Sequence, residues 1–195
     1  MLAAVILSGG ASQRMGSPKA LLPYQGRPFL EHLLQVTVHP KIDVRRVVLG
    51  AHAEPITSAV RLAAEDIVIN EDWEKGQLSS IQAAIRSLPA GTDGLILCLI
   101  DHPLISAVLI DDLIERFYRT KMKIVLPVFQ GQRGHPVIFS AELYDELLAA
   151  PLDKGARAVV WAHAGEIGEM PTTEQGCVLN LNDPDTLQRT NGAQD

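Results

Sequence analysis

LAAVILSGGASQRMGSPKALL, residues 2–22, begins with an unbroken apolar run and then turns to serine and glycine. Alternate side chains of a strand point to opposite faces of a sheet, so a run apolar at every position suits a strand covered on both sides. Comparable runs follow at RRVVL (45–49), DIVIN (66–70), GLILCLI (94–100), KIVLPVF (123–129), PVIF (136–139) and CVLNL (177–181). Between them, PFLEHLLQVTV (28–38), EPITSAVRLAA (54–64), LSSIQAAIRSL (78–88), AVLIDDLIERFY (107–118) and AELYDELLAA (141–150) carry apolar residues at helical spacing. Pro28, Pro55 and Pro184 stand at expected helix starts, where a missing N–H is tolerated. This alternation predicts an α/β fold: a doubly wound, mostly parallel sheet with helices on both faces. With 195 residues, of which 47% are apolar, residues 1–195 read as a single domain with a substantial core.

Composition narrows the function classes. A formal charge of −6 argues against nonspecific nucleic-acid binding, which needs a basic field along the phosphates. Cys98 and Cys177 both lie in apolar stretches and read as buried thiols in a reducing compartment. Met1 leads straight into LAAVIL with no basic region before it, and the run ends at Ser8, too short for a membrane span and unlike a signal peptide. We therefore expect a soluble, cytoplasmic protein.

Ligands of such sheets bind outside the carboxyl ends of the strands, so each segment that follows a strand is a site candidate. Gly9 and Gly10 let main-chain amides approach a ligand closely, and Arg14 and Lys19 follow with the charge a polyphosphate needs. The spacing matches neither the dinucleotide fingerprint nor the P-loop. A glycine pair alone would be a tight turn; with an arginine, a third glycine and a lysine, phosphate binding becomes the better account. Asp101 ends the strand GLILCLI, either as a turn residue or as a metal ligand facing the crevice. The phosphate loop favours the ligand, because magnesium binds through one or two protein groups together with substrate phosphates. His102 has no cysteine or histidine at the local spacing zinc requires. In QGQRGHPVIFS (130–140), Arg133, Gly134 and His135 suit an anion or a pterin, or else a polar turn before a strand that begins at Pro136.

LSGGASQRMGSPK (7–19) resembles the signature L-A-[AG]-G-x-S-x-R-M-G-x-x-K of the molybdenum-cofactor nucleotidyltransferase-like family. The resemblance implies a Rossmann-like nucleotidyltransferase fold. It further implies that Leu7, Ser8, Gly9, Gly10, Arg14 and Lys19 hold a nucleoside triphosphate; Ser8 replaces the usual alanine. NEDWEKGQLSSI (70–81) is similar to the family's next segment, which would bring Asn70, Gly76, Ser79 and Ser80 near base and ribose. Residue chemistry alone reads Ser79 or Ser80 equally well as a helix cap. Asp101 corresponds to the aspartate of the family's D-x-P element, its principal metal ligand. NLNDPDTL (180–187), aligned on Pro184, resembles the late element and puts Asn182 at the second metal position, with Asp183 as the alternative.

RGHPVIFS (133–140) and DKGARAVV (153–160) resemble the cytidylyltransferase branch, with Arg133, Gly134 and His135 facing the acceptor; the glycine pair at 9–10 resembles the guanylyltransferase branch instead. The implied reaction is magnesium-dependent transfer of CMP from CTP to molybdopterin with release of pyrophosphate. A phosphate acceptor is already ionised near neutrality and needs no strong base, in keeping with the lack of a Ser/His/Asp or Cys/His set. Transient contact with a molybdoenzyme or its chaperone is also implied. Three alternatives stay open: GTP as donor, a sugar or polyol phosphate as acceptor, and a nonenzymatic nucleotide- or cofactor-binding chaperone.

Overall fold

A computed structural model describes residues 1–11 and 16–182. The first apolar run forms β1 (Leu2–Ser8), buried along its whole length. Leu2, Ala4 and Ile6 face one core, and Ala3, Val5 and Leu7 face the other. Removing a leucine or isoleucine side chain from water contributes about 1.5–3 kcal/mol, so this strand is a principal anchor of both layers. On one side lie α1 (Phe29–Val36), α2 (Ala53–Ala59) and α4 (Ala107–Thr120). On the other lie α3 (Gln77–Ser87), α5 (Tyr144–Ala149) and α6 (Arg157–Ala162).

The main sheet runs β10-β7-β9-β6-β1-β4-β5. Its members are β4 (Ile42–Leu49), β5 (Ile67–Ile69), β6 (Gly94–Leu99), β7 (Ile124–Phe129), β9 (Val137–Ser140) and β10 (Ile167–Pro171), with the short β8 (Gln132–Arg133) paired to β7. β2 (Pro23–Tyr24) and β3 (Arg27–Pro28) form a separate antiparallel ribbon. β6, β1, β4 and β5 are mutually parallel, as are β7 and β10, whereas β9 runs antiparallel to both β6 and β7. The doubly wound, mostly parallel sheet is thus the observed fold. The antiparallel strand has a functional consequence: β9 begins near the ends of β6 and β7, so the loop that precedes it reaches the same rim as the other post-strand loops.

Three local expectations change. CVLNL is not a strand: Gln175–Cys177 is a 3-10 turn, and residues 178–182 make no ladder. Leu181 donates one backbone hydrogen bond to the Asp101 carbonyl (2.7 Å) and packs with Tyr24 and Phe29 in a small separate core, so its apolar character serves docking. The edge position belongs to β10, whose half-buried IGEMP alternates weakly and includes glycine and proline. The helix in 54–64 stops at Ala59, after which Val60 is extended and buried. Pro28 precedes α1 and Pro55 lies in the first turn of α2; Pro184 lies outside the described residues. Cys98 and Cys177 are free, buried thiols, and burial pushes the Cys98 thiol up to about 12. Among the described residues no helix is long and apolar enough to cross a membrane.

Candidate active site

Parallel pairing on both sides of β1 brings three strand ends together. Leu7 lies beside Leu99 of β6, Ser8 beside Leu49 of β4, and the Ile100 amide donates to the Leu7 carbonyl (3.1 Å). The glycine loop after β1 and Asp101 after β6 therefore leave adjacent strands at one level. Between them opens a cleft of about 370 Å³, whose wall includes Leu7, Ser8, Gly9, Gly10, Lys19 and Asp101. Trp73, Gly76, Gln77 and Ser80 complete it from the side of α3.

The loop is held from behind by residues 50–52. The Gly9 carbonyl accepts from the Ala51 amide (3.2 Å), and the His52 imidazole Nε2 bonds the Ala11 carbonyl (2.8 Å). Gly50 makes this possible: a Cβ there would lie 2.4 Å from the Gly9 carbonyl oxygen and 2.7 Å from Trp73 Cβ. Sequence reading leaves Gly50 unmarked, because a lone glycine at a strand end is too common a signal, and takes His52 for a surface residue of a helix or loop. Arg14 lies outside the described residues.

Lys19, Asp101 and Asn182 converge. The Lys19 ammonium donates to Asn182 Oδ1 and lies 3.9 Å from Asp101 Oδ2. Both charged side chains are largely screened, at 17% and 22% exposure. Asn182 comes from far along the chain and arrives because the Leu181–Asp101 backbone bond fastens it across the end of β6. Asp183 lies outside the described residues. The oxygens of Asp101 and Asn182 are hard donors already gathered around one positive charge, which is the donor set a magnesium ion accepts. Among the described residues no trio of His, Cys, Asp or Glu forms a metal cluster, so any divalent ion here would draw its remaining ligands from substrate and water.

The segment 70–80 divides its polar groups. Gly76 and Ser80 line the cleft, whereas Asn70 and Ser79 brace the loop behind it. Asn70 Nδ2 donates to both serine hydroxyls (2.9 Å each), and Ser79 Oγ donates to the carbonyls of Asp72 (2.9 Å) and Gly76 (2.8 Å). Gly76 precedes α3 with φ +97°, a conformation that side-chain-bearing residues rarely adopt. The helix thus starts at the cleft wall, which Gly76 and Gln77 line.

Arg133, Gly134 and His135 line a second cavity, of about 510 Å³, which shares Gln77 with the first. Arg133 pairs with Glu169 of β10 (2.7 Å). The rings of His135 and His102 are 5.3 Å apart, linking the second cavity to the neighbour of Asp101. Burial, and then the adjacent His102, lowers the His135 pKa to about 4; burial also lowers that of His102.

Comparison with known proteins agrees with this fold. Residues 4–167 match the family described as the MobA-like NTP transferase domain. A probable molybdenum cofactor guanylyltransferase of Mycolicibacterium paratuberculosis is 31% identical over 189 residues, 93% of this chain and 90% of that protein. Nicotine blue oxidoreductase of Paenarthrobacter nicotinovorans is 29% identical over 162 residues, 78% of each chain. The crystal structure of Rv0371c from Mycobacterium tuberculosis H37Rv superposes with a TM-score of 0.85 at 28% identity, covering 98% of this chain and 97% of that one. A further structure of that protein is a complex with manganese, with a TM-score of 0.81 at 25% identity and 98% of each chain covered.

Proposed function

This chain belongs to the MobA-like NTP transferase family, and we propose that it moves CMP from CTP onto molybdopterin, with magnesium as the metal and pyrophosphate as the second product. The observation that carries the reading is the meeting of the glycine loop, Lys19, Asp101 and Asn182 at one cleft. An acceptor phosphate oxygen attacks the α-phosphorus in line; the new P–O bond forms as the bond to the β-phosphate oxygen breaks. Backbone amides of Gly9 and Gly10 orient the triphosphate, and Arg14 and Lys19 neutralise it. Lys19 is already in the cleft, where a bound phosphate would compete with Asn182 for its ammonium. Asp101 and Asn182 would hold the magnesium, which supplies charge neutralisation and polarises phosphate oxygens. Arg133, Gly134 and His135 receive the acceptor.

The cytidine preference rests on the likeness of RGHPVIFS and DKGARAVV to the cytidylyltransferase branch. A second reading, GTP as donor, is favoured by the glycine pair at 9–10 and by the mycobacterial relative named a probable guanylyltransferase. Pyrophosphate release from CTP and from GTP, each with molybdopterin and magnesium, separates the two. Faster turnover of CTP is expected. GTP preference would replace the donor, and no release from either would end the transfer reading.

A further inference from the structure

His52 stands where a helix cap is expected and does not act as one. It is the N-cap residue of α2, a position where Ser, Thr, Asp or Asn would bond the helix's free first amides and stabilise it. The His52 side chain makes no such bond. Its half-buried ring turns instead to the glycine loop, where Nε2 lies 2.8 Å from the Ala11 carbonyl oxygen. A carbonyl only accepts, so Nε2 carries the proton and donates. The start of α2 therefore goes without a side-chain cap, and the hydrogen bond serves the loop after β1.

We infer that His52 is a positioning residue for triphosphate binding: together with the Ala51 amide it holds two alternate carbonyls of the loop from behind, and so sets which way the loop's amides face. The Ala51 amide donates to the Gly9 carbonyl (3.2 Å), and His52 donates to that of Ala11. The Gly9–Gly10 peptide is trans, so its C=O and its N–H point in opposite directions. A Gly9 carbonyl held toward residue 51 turns the Gly10 N–H away from the β4 side of the loop. Asp101 and β6 lie on the other side of β1 from β4, and the cleft opens there. No backbone carbonyl of the described residues accepts from the Gly10 amide, which suits a donor kept for a ligand. One tether would not hold a glycine pair, whose backbone rotates freely; the imidazole supplies the second, two residues on. In addition, α2 packs against the 3-10 turn Lys19–Leu21, so one short helix and its N-cap register both residues 9–11 and the turn that carries Lys19. The inference rests on the triphosphate-binding part of the reading above and adds a residue that acts through Ala11 rather than on the nucleotide.

The test compares the full chain with His52→Ser, which can cap α2 but is too short to reach Ala11, and with His52→Gln, which keeps an N–H donor of similar reach. Calorimetry with magnesium–CTP, magnesium–GTP and inorganic tripolyphosphate reads binding, and thermal unfolding reads the fold. His52→Ser is expected to weaken the preferred nucleotide and tripolyphosphate alike by about tenfold, with a Tm equal to or above that of the parent. His52→Gln is expected to bring affinity back to within about threefold of the parent. Unchanged affinity in His52→Ser, a fall in affinity that only accompanies a fall in Tm, or a glutamine variant as weak as the serine one would each overturn the inference. Failures of the wider reading look different. A parent chain that binds neither nucleotide nor tripolyphosphate would remove triphosphate binding and this inference with it. Binding that depends on His52, with no pyrophosphate released from CTP or GTP, would uphold the inference and end the transfer reading alone.

Discussion

Between Asn182 Oδ1 and Asp101 Oδ2, the Lys19 ammonium sits where a metal would compete with it for those oxygens and a triphosphate would compete with the oxygens for the ammonium. The two oxygen donors are unequal, because a carboxylate binds a hard cation better than an amide oxygen does. Asp101→Asn keeps the size and removes the charge; we expect turnover to fall by roughly 10²-fold or more, with CTP affinity in the absence of metal unchanged. Steady-state rates across a magnesium series decide it, and wild-type turnover in the variant would remove Asp101 from the metal. Asn182→Asp tests the partner in the opposite direction. A second carboxylate should lower the magnesium concentration for half-maximal activity by several-fold, and an unchanged magnesium dependence would place Asn182 outside the metal's reach. Lys19→Ala should raise the KM for the triphosphate about tenfold or more, since a partly screened ammonium–phosphate contact is stronger than a surface ion pair. A change confined to the acceptor KM would contradict that role.

At the level of elements, the phosphate loop depends on a strand that it does not belong to. β4 ends at Leu49, and Gly50 then lets Gly9 and Trp73 close over it. Gly50→Ala forces a Cβ against backbone, which cannot yield as a flexible side chain would; we expect a loss of about 1–3 kcal/mol, or roughly 2–10 °C in Tm, together with weaker triphosphate binding. A variant that melts and binds like the parent would show that the loop does not need this approach. The strands with continuous apolar runs were legible in the sequence because burial on both faces leaves a strong local signal, as in LAAVIL and GLILCLI. β10 was not, because an edge strand buries only alternate residues, and IGEMP offers just Gly168 and Met170 to the interior. CVLNL misled for the converse reason: Cys177 and Leu181 are fully buried without any strand, through docking at separate points. Of the candidate site, Lys19 and Asp101 were legible because charge beside a glycine loop or at a strand end is chemically specific. Gly50 and His52 were not, since a glycine and a histidine acquire their meaning only from what tertiary folding sets against them.

For the whole molecule, acid stability follows from where the imidazoles lie. His135 and His102 are largely buried beside each other, and burial depresses the pKa of both, His135 from 6.5 to about 4. The unfolded chain takes up the His135 proton near 6.5, while the folded chain resists until about 4. This contribution is therefore complete above 6.5 and is lost progressively as the pH falls toward 4. At about 1.4 kcal/mol per pH unit, the His135 interval corresponds to about 3 kcal/mol when fully expressed, and about 2 kcal/mol of it is gone by about pH 5. Two other effects have the opposite sign. His163 has its pKa raised by Glu166 and then Glu146, so it favours folding as the pH falls, but both carboxylates are about half exposed, and solvent screens the pairs. Net charge is −6 at pH 7 with a pI near 5.5, so mild acidification relieves overall repulsion as well. A loss of stability between pH 7 and pH 5 consequently has to come from buried groups rather than from global charge. Urea unfolding at the two pH values should show that loss in the parent chain and a shallower one in His135→Gln, which cannot take up the proton in either state. Parallel slopes for the two proteins would mean that the His135 ring is not shielded from water as its neighbours imply.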